Sequence, residues 1–372
     1  MGDIMNKRFV TLLILVLGVL TIISWGNYFA ETGSFQIFQE PKEDVTIAIA
    51  GDVMFTRKMP PVLEAVSSPF KNVENVTKNA DLLLMNFENP ITTSDIAYKG
   101  DVALKAHPAY TKLAKANLNT ILALANNHIF DYGEIGLNDT IKYIKENGMK
   151  SIGAGNNKEE ATKPIVEEIN GRKIVILNYM DQDNFKEYSQ SEMPQATSAS
   201  NGTGASGSNS GYAAIDWDIV KKDIDANKQG ADLVIVYLHY GNEYSRSPNN
   251  HQKEISKKFI DYGADIVVGS HTHVTQGVEV YKNKPIFYGL GNFVFDQSNV
   301  NTHLAMFLEL DLVNDTCEVT VHPIYINNYL PEFMSPGDGK TLLNGLSPKD
   351  SELKISDNGK AKLTFQLGDS TE

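Results

Sequence analysis

The chain has 372 residues, 42% of them hydrophobic, enough for one large domain or two ordinary ones with a real core, so disorder is not the expected state. Its formal net charge of −13 and the lack of any run of lysines and arginines disfavour nucleic acid as a partner. A single cysteine, Cys317, rules out an internal disulfide and a CxxC redox pair, and eight histidines turn any metal search toward nitrogen and oxygen ligands.

In chain order, Lys7 and Arg8 precede an uncharged stretch from Phe9 to Ala30. At about 1.5 Å per residue, such a helix spans a hydrocarbon core of about 30 Å. Residues 1–30 therefore read as an N-terminal transmembrane anchor, with a cleaved signal peptide as the alternative reading. Positive-inside logic keeps Lys7 and Arg8 in the cytoplasm and places the chain beyond residue 30 on the extracytoplasmic side, either single-pass at the cell membrane or secreted after cleavage. A polar linker at 31–43 leads to the main domain.

From there, short apolar runs alternate with helical spacing. The runs are VTIAIA (45–50), DLLLMNF (81–87), TILALA (120–125), KIVILNY (173–179), DLVIVYL (232–238), DIVVG (265–269) and PIFYGLGNFVF (285–295). Leu137, Ile141 and Ile144 after Gly133, and Ile255, Phe259 and Tyr262 before Gly263, keep helix periodicity. The alternation predicts an α/β fold in one domain at 44–328, and LAMFLELDL and CEVTVHPIYI read as a closing pair of strands. Residues 189–211, rich in Ser, Gly and Asn, read as a flexible loop. The tail at 329–372 is polar, with weak strand patterning in AKLTFQL, and takes no assigned chemistry.

Polar residues fall where the apolar runs end. Asp52 closes IAIAGD, Glu88 follows LLLMNF, Asn127 and His128 close LALANNH, His239 closes VIVYLH, and His271 and His273 close DIVVGSHTH. In an α/β sheet the carboxyl ends of neighbouring strands share one crevice, so these side chains can meet. Carboxylates, an amide oxygen and imidazoles together suit one or two divalent transition ions, Mn, Zn or Fe, rather than a pure Ca or Mg site. Singly, each has an ordinary reading: a helix cap for Asp52 or Asn127, a hydrogen-bonded structural ring for His239. His107, His251, His303 and His322 lack the strand-end setting and read as surface or core residues. GLGNFV falls short of a dinucleotide-binding pattern, and no GxSxG is present. Arg57, five residues past Asp52, is a candidate for holding a substrate phosphate or carboxylate, with a solvated arginine as the equal alternative.

These residues form a familiar series. GD (51–52), NNH (126–128), the His of LHYG and GSHTH resemble the ordered motifs of calcineurin-like metallophosphoesterases. More narrowly, NFENP, LALANNHIFDYG and GADIVVGSHTHVTQGVEVYKNKPIFYGLGNFVFDQ resemble the CapA/PgsA family of bacterial capsule proteins, linked to poly-γ-glutamate synthesis, over about residues 45–326. The resemblance implies a metallophosphoesterase-like four-layer α/β/β/α sandwich behind an N-terminal transmembrane helix. It implies that Asp52, Glu88 and His273 hold one metal, that Glu88, Asn127, His239 and His271 hold the other, and that His128 is a general acid oriented by Asp131. It further implies the cytoplasmic membrane and polymer synthase subunits as partners, and an anionic polymer or phosphoester as substrate. Met54 stands where the wider superfamily has a histidine, which deprives the first metal position of a donor. Two rival roles emerge: a metal-dependent hydrolase, or a non-catalytic accessory subunit of a polymer synthase. A secreted ligand-binding protein ranks behind both.

Overall fold

The first element of the domain, β1 (Val45–Val53), is buried at all but one of its nine positions, the signature of a strand covered on both faces. A computed structural model describes residues 43–98, 102–182, 210–346 and 352–368. These lie in the unit Lys42–Glu372, and the unit Met1–Pro41, with the expected anchor and nearly all of the expected linker, is outside the described residues. So is most of the expected loop at 189–211. Among the described residues no helix is long and apolar enough to cross a membrane.

After β1 the chain forms the short helices α1 (Met59–Ala65) and α2 (Glu74–Thr77), then the parallel strands β2 (Leu82–Phe87), β3 (Thr120–Ala123) and, beyond helix α3 (Gly133–Glu146), β4 (Lys150–Ile152). A two-residue strand, β5 (Ala154–Gly155), and helix α4 (Lys158–Thr162) lead to the hairpin β6 (Ile165–Ile169) and β7 (Arg172–Met180); β8 (Gly211–Tyr212) pairs back to β5. Helix α5 (Trp217–Lys228) then precedes β9 (Leu233–His239), and helix α6 (Asn250–Tyr262) precedes β10 (Ile266–Ser270). The hairpin β11 (Val278–Tyr281) and β12 (Lys284–Phe287) completes a six-stranded sheet ordered β11-β12-β10-β9-β7-β6, parallel from β12 to β7.

Strand β13 (Asn292–Val294) returns to pair with β1, and the long antiparallel pair β14 (Leu304–Val313) and β15 (Thr316–Asn327) is the expected closing pair. The segment after β15 is no appendage. Strand β16 (Leu330–Phe333) pairs with β15, helix α7 (Pro336–Leu346) intervenes, and β17 (Lys354–Ile355) and β18 (Ala361–Gln366) extend the first sheet to ten strands. The weak patterning of AKLTFQL is the strict inside–outside alternation of β18, an antiparallel strand with one wet face.

The sheets face each other. Ile47, Ile49, Leu82, Leu84 and Ile121 of the first cluster with Ile174, Ile176, Leu233, Ile235, Ile266 and Val268 of the second. Their strand neighbours point the other way, Ala48, Leu83 and Leu122 toward the side of Leu137 and Ile144, and Val175, Val234 and Val236 toward the side of Ile224 and Phe259. The layer order is helix, sheet, sheet, helix. Each Leu or Ile taken out of water contributes about 1.5–3 kcal/mol, so the sheet pair is a rigid frame. Helix α6 illustrates the local rules: Asn249 and Gln252 form a reciprocal capping box at its start, and Gly263, at φ 114°, ends it in the left-handed region.

Candidate metal centre

All five side-chain-bearing strand ends meet where the two sheets converge. Register shifts along β1 beside both of its parallel neighbours, at Asp52, and such an irregularity re-aims a side chain. Gly51 permits it, because a Cβ there would stand 1.9 Å from the Gly291 carbonyl oxygen. Asp52 and Glu88, which follows β2, are both fully buried. Two adjacent buried carboxylates cost several kcal/mol unless compensated. Part of the compensation is Asn86, whose Nδ2 donates to Asp52 Oδ1 at 2.7 Å and to Glu88 Oε2 at 3.3 Å. The His271 amide donates to Asp52 Oδ2 at 3.3 Å across the gap between sheets.

Three imidazoles face this pair, and His273 supplies further compensation. His273 Nδ1 lies 3.4 Å from Asp52 Oδ2, and its Nε2 lies 3.7 Å from Glu88 Oε1. His239 Nε2 is 3.0 Å from Asn127 Oδ1, 3.0 Å from His271 Nδ1 and 3.9 Å from Glu88 Oε1. Two overlapping groups thus have donor atoms within 4.8 Å of one another, Asp52–Glu88–His273 and Glu88–His239–His271, with Glu88 in both. Burial lowers the pKa of His273, but Glu88 and Asp52, with Glu243 farther out, outweigh it and raise the ring to about 9.

The donor set fits cations. Ser270 Oγ donates to the Leu238 carbonyl at 3.2 Å and lies 3.0 Å from His239 Nδ1, which assigns the ring proton to that nitrogen. Nε2 then presents a lone pair to an amide oxygen and a carboxylate oxygen, an arrangement of acceptors that a positive ion stabilises. Asn292 Nδ2 donates to Gln297 Oε1 at 3.0 Å and to the Thr302 carbonyl at 3.1 Å, so its Oδ1 accepts from His273 Nδ1 at 3.0 Å. That leaves His273 Nε2, facing Glu88, as the nitrogen that could take a cation.

His128 lies at the edge of this cluster, its side chain 15% exposed beside donors that are nearly sealed. Its Nδ1 is 2.7 Å from Asp131 Oδ2, which also accepts from the Leu104 amide at 2.7 Å. Asn126 ties it inward: Oδ1 accepts from the His128 amide at 3.2 Å, and Nδ2 donates to Asn86 Oδ1 at 3.1 Å. One amide relay therefore joins both carboxylates to the His128 turn.

Met54 is completely buried and belongs to the apolar cluster with Phe55, Met59 and Phe87. Arg57 is not merely solvated: it pairs with buried Asp296 and its guanidinium lies 5.4 Å from the centroid of the Phe295 ring. The remaining histidines stand apart. His107 accepts from the Ala109 amide, His251 pairs with Asp181, His303 bonds the Gln297 carbonyl, and His322 bonds Glu309. Four residues of the centre escape a strand-end reading: Asn86, Asn126, Ser270 and Asn292. Asn86 alone leaves a trace, a polar side chain inside the otherwise apolar LLLMNF.

Backbone strain marks the same place. Among the described residues, the non-glycine positions with positive φ outside the hairpin turns are Arg57, Tyr244, His271 and His273, at 56°, 61°, 84° and 57°. The others, Asn170, Lys282, Asn283, Asn314, Asn328 and Tyr329, sit in two-residue turns between paired strands, where left-handed backbone is ordinary. Strain of this kind persists where surrounding structure enforces it, and it clusters at functional sites.

The family model described as "Bacterial capsule synthesis protein PGA_cap" matches residues 46–297, about two thirds of the chain. The chain belongs to this capsule synthesis family. Among its relatives, the "PGA biosynthesis protein CapA" of Bacillus subtilis (strain 168) is 31% identical over 97% of this chain and 92% of its own length. The "Capsule biosynthesis protein CapA" of Bacillus anthracis is 31% identical over 88% of this chain and 78% of its own. A "Probable polyglutamine synthesis accessory protein" of Mycobacterium tuberculosis is 28% identical over 63% and 60%. The PGA_cap match runs from within β1 to just past Asp296, so it spans every residue of the centre and stops before β14.

Proposed function

We propose that this chain acts in the assembly or export of an anionic capsule polymer of the poly-γ-glutamate type, anchored by residues 1–30 with its domain outside the cytoplasmic membrane, and that its centre is a metal-dependent hydrolase site. The relatives' names support the polymer, and Lys7 and Arg8 ahead of the apolar run at 9–30 support the anchor. The observation that carries the catalytic reading is that Asp52, Glu88, Asn127, His239, His271 and His273, spread over more than two hundred positions, place their donors around one shared carboxylate.

Asp52, Glu88 and His273 would hold one divalent ion, and Glu88, Asn127, His239 and His271 a second, of the Mn, Zn or Fe kind. Bound there, the ions supply Lewis-acid stabilisation of a phosphoryl or carbonyl oxygen and lower the pKa of water. Ser270 and Asn292 fix the tautomers of His239 and His273. Asn86 holds the carboxylates in place while substrate enters. His128, open at the mouth and oriented by Asp131, donates a proton to the departing oxygen or nitrogen of a phosphoester or a γ-glutamyl amide.

The purified full-length chain should contain transition metal by elemental analysis. In His128→Asn, metal content should be unchanged while hydrolysis of a generic phosphodiester or a γ-glutamyl peptide drops about 10²–10⁴-fold. A metal-free wild type sinks the reading. Met54, a buried apolar residue two positions past Asp52, and the name of the mycobacterial relative favour a second reading, a non-catalytic subunit working with polymer synthase partners. It prevails where His128→Asn protein supports full polymer production in cells.

A further inference from the structure

From the position of Arg57 we infer that the centre has a carboxylate-binding subsite, one aromatic ring away from His273, which seats a free carboxylate of the polymer whose bond lies at the metals. The inference rests on the functional reading above and adds where the substrate's charge is recognised.

A cavity of about 390 Å³ opens here, lined by Arg57, Lys58, Tyr244, Asp296 and Gln297 among others. That is within the size range of small-ligand pockets. Phe295 joins it to the centre, with its ring centroid 4.8 Å from that of His273 and the Arg57 guanidinium over its face. Tyr244 forms another wall: its amide donates to the Thr272 carbonyl at 2.8 Å, between the two turn histidines, and its hydroxyl accepts from Gln297 Nε2 at 3.2 Å.

Asp296 is an internal counter-ion. It is 5% exposed, and its two oxygens are engaged by Arg57 and by the Lys58 amide, the latter at 3.0 Å. It fixes the guanidinium without sealing it, because a guanidinium carries five N–H donors and the Arg57 side chain remains 43% exposed. Asp296 and Phe295 thus hold a planar fork at the cavity wall, the geometry that matches a carboxylate.

Charge and strain agree. Arg57 and Lys58 stand against Asp296, and the Glu243 carboxylate reaches the Tyr244 hydroxyl, so little net positive charge is left at the cavity, in a chain whose formal net charge is −13. A monoanionic carboxylate matches that better than a phosphate dianion. Arg57 and Tyr244 on the cavity wall are both held in the left-handed region, as are His271 and His273 in the centre. One set of enforced backbone conformations therefore shapes cavity and centre alike.

The probe is the dipeptide γ-glutamylglutamate, titrated calorimetrically into the purified full-length chain, with inorganic phosphate in parallel. Arg57→Gln should weaken dipeptide binding by at least about tenfold, the order of a lost charge-assisted hydrogen bond. Arg57→Lys, which keeps the charge and loses the fork, should weaken it less. Both should keep wild-type metal content, Arg57→Gln should lower the thermal midpoint by stranding the buried Asp296 carboxylate and Arg57→Lys should lower it less, and Lys221→Gln, an exposed change on α5, should bind as wild type. Dipeptide binding unchanged in both Arg57 variants overturns the subsite, as does phosphate binding tighter than the dipeptide and equally lost in Arg57→Gln. A wild type without metal that still binds the dipeptide through Arg57 supports the subsite while refuting the hydrolase reading, so the two fail separately.

Discussion

The two donor groups that share Glu88 differ in chemistry although the facing rims of the same two sheets supply both. Around His239 the set is rich in neutral donors, two imidazoles and the Asn127 amide with a single carboxylate, and the closest pairs stand at 3.0 Å. Around Asp52 it is two carboxylates and one imidazole, at 3.4 and 3.7 Å from His273, with buried Met54 adding no hard donor. The first group suits a borderline ion that prefers nitrogen; the second is harder and its pairs with His273 are more widely spaced. The difference follows from the strands. The second sheet, through β9 and β10, contributes histidines, while the first, through β1 and β2, contributes carboxylates. A single residue, Glu88, belongs to both.

That shared residue gives the largest effect. In Glu88→Gln, isosteric but uncharged, both positions should weaken by at least about a hundredfold, beyond what losing an outer hydrogen-bond partner costs, and elemental analysis of the purified protein should find almost no metal. Retention of one tightly held ion would show that the groups do not share this carboxylate.

Separating the two groups is the next test. His271→Ala should remove the nitrogen-rich ion and leave the other weakly bound, whereas Asp52→Asn should spare the nitrogen-rich ion and abolish the other. Stoichiometry and competition with a chromogenic chelator read this out. Equal loss of all metal in both variants would merge the comparison into a single site.

Much of this centre could be read from the chain because parallel strands buried on both faces are almost uniformly apolar, so Asp52, Glu88, Asn127, His239 and His271 stand out at their ends. The supporting shell was hidden for the same kind of reason. Asn86 lies within its strand, where one polar residue looks like a tolerated exception. Asn292 sits in GLGNFV, whose glycines suggest a phosphate loop to be rejected rather than a brace for His273. The partnership of Arg57 with Asp296 spans 239 positions, and no local pattern announces it. The alternation of apolar runs and helical spacing announces an α/β fold, whereas the four-layer order is implied only by the family resemblance. The extension by β16, α7, β17 and β18 was obscured because edge strands with one wet face carry half the apolar signal of central ones.

The smallest effect concerns protons, and it separates the carboxylate-rich group from its neighbour. With metal removed by chelation, His273 titrates at about 9, above the ordinary 6.5, because Glu88 and Asp52 outweigh burial. A folded pKa above the unfolded one means a stabilisation fully present below about pH 6.5 and lost as pH rises through about 9. Urea unfolding of the chelated full-length chain should therefore show stability falling between about pH 6.5 and 9, with a smaller fall in His273→Asn. A cation at this position must displace the same proton, so metal loading should flatten the profile and release protons in a pH-stat titration. Identical profiles for chelated wild type and His273→Asn would place the titrating group elsewhere and remove the electrostatic distinction between the two halves of the centre.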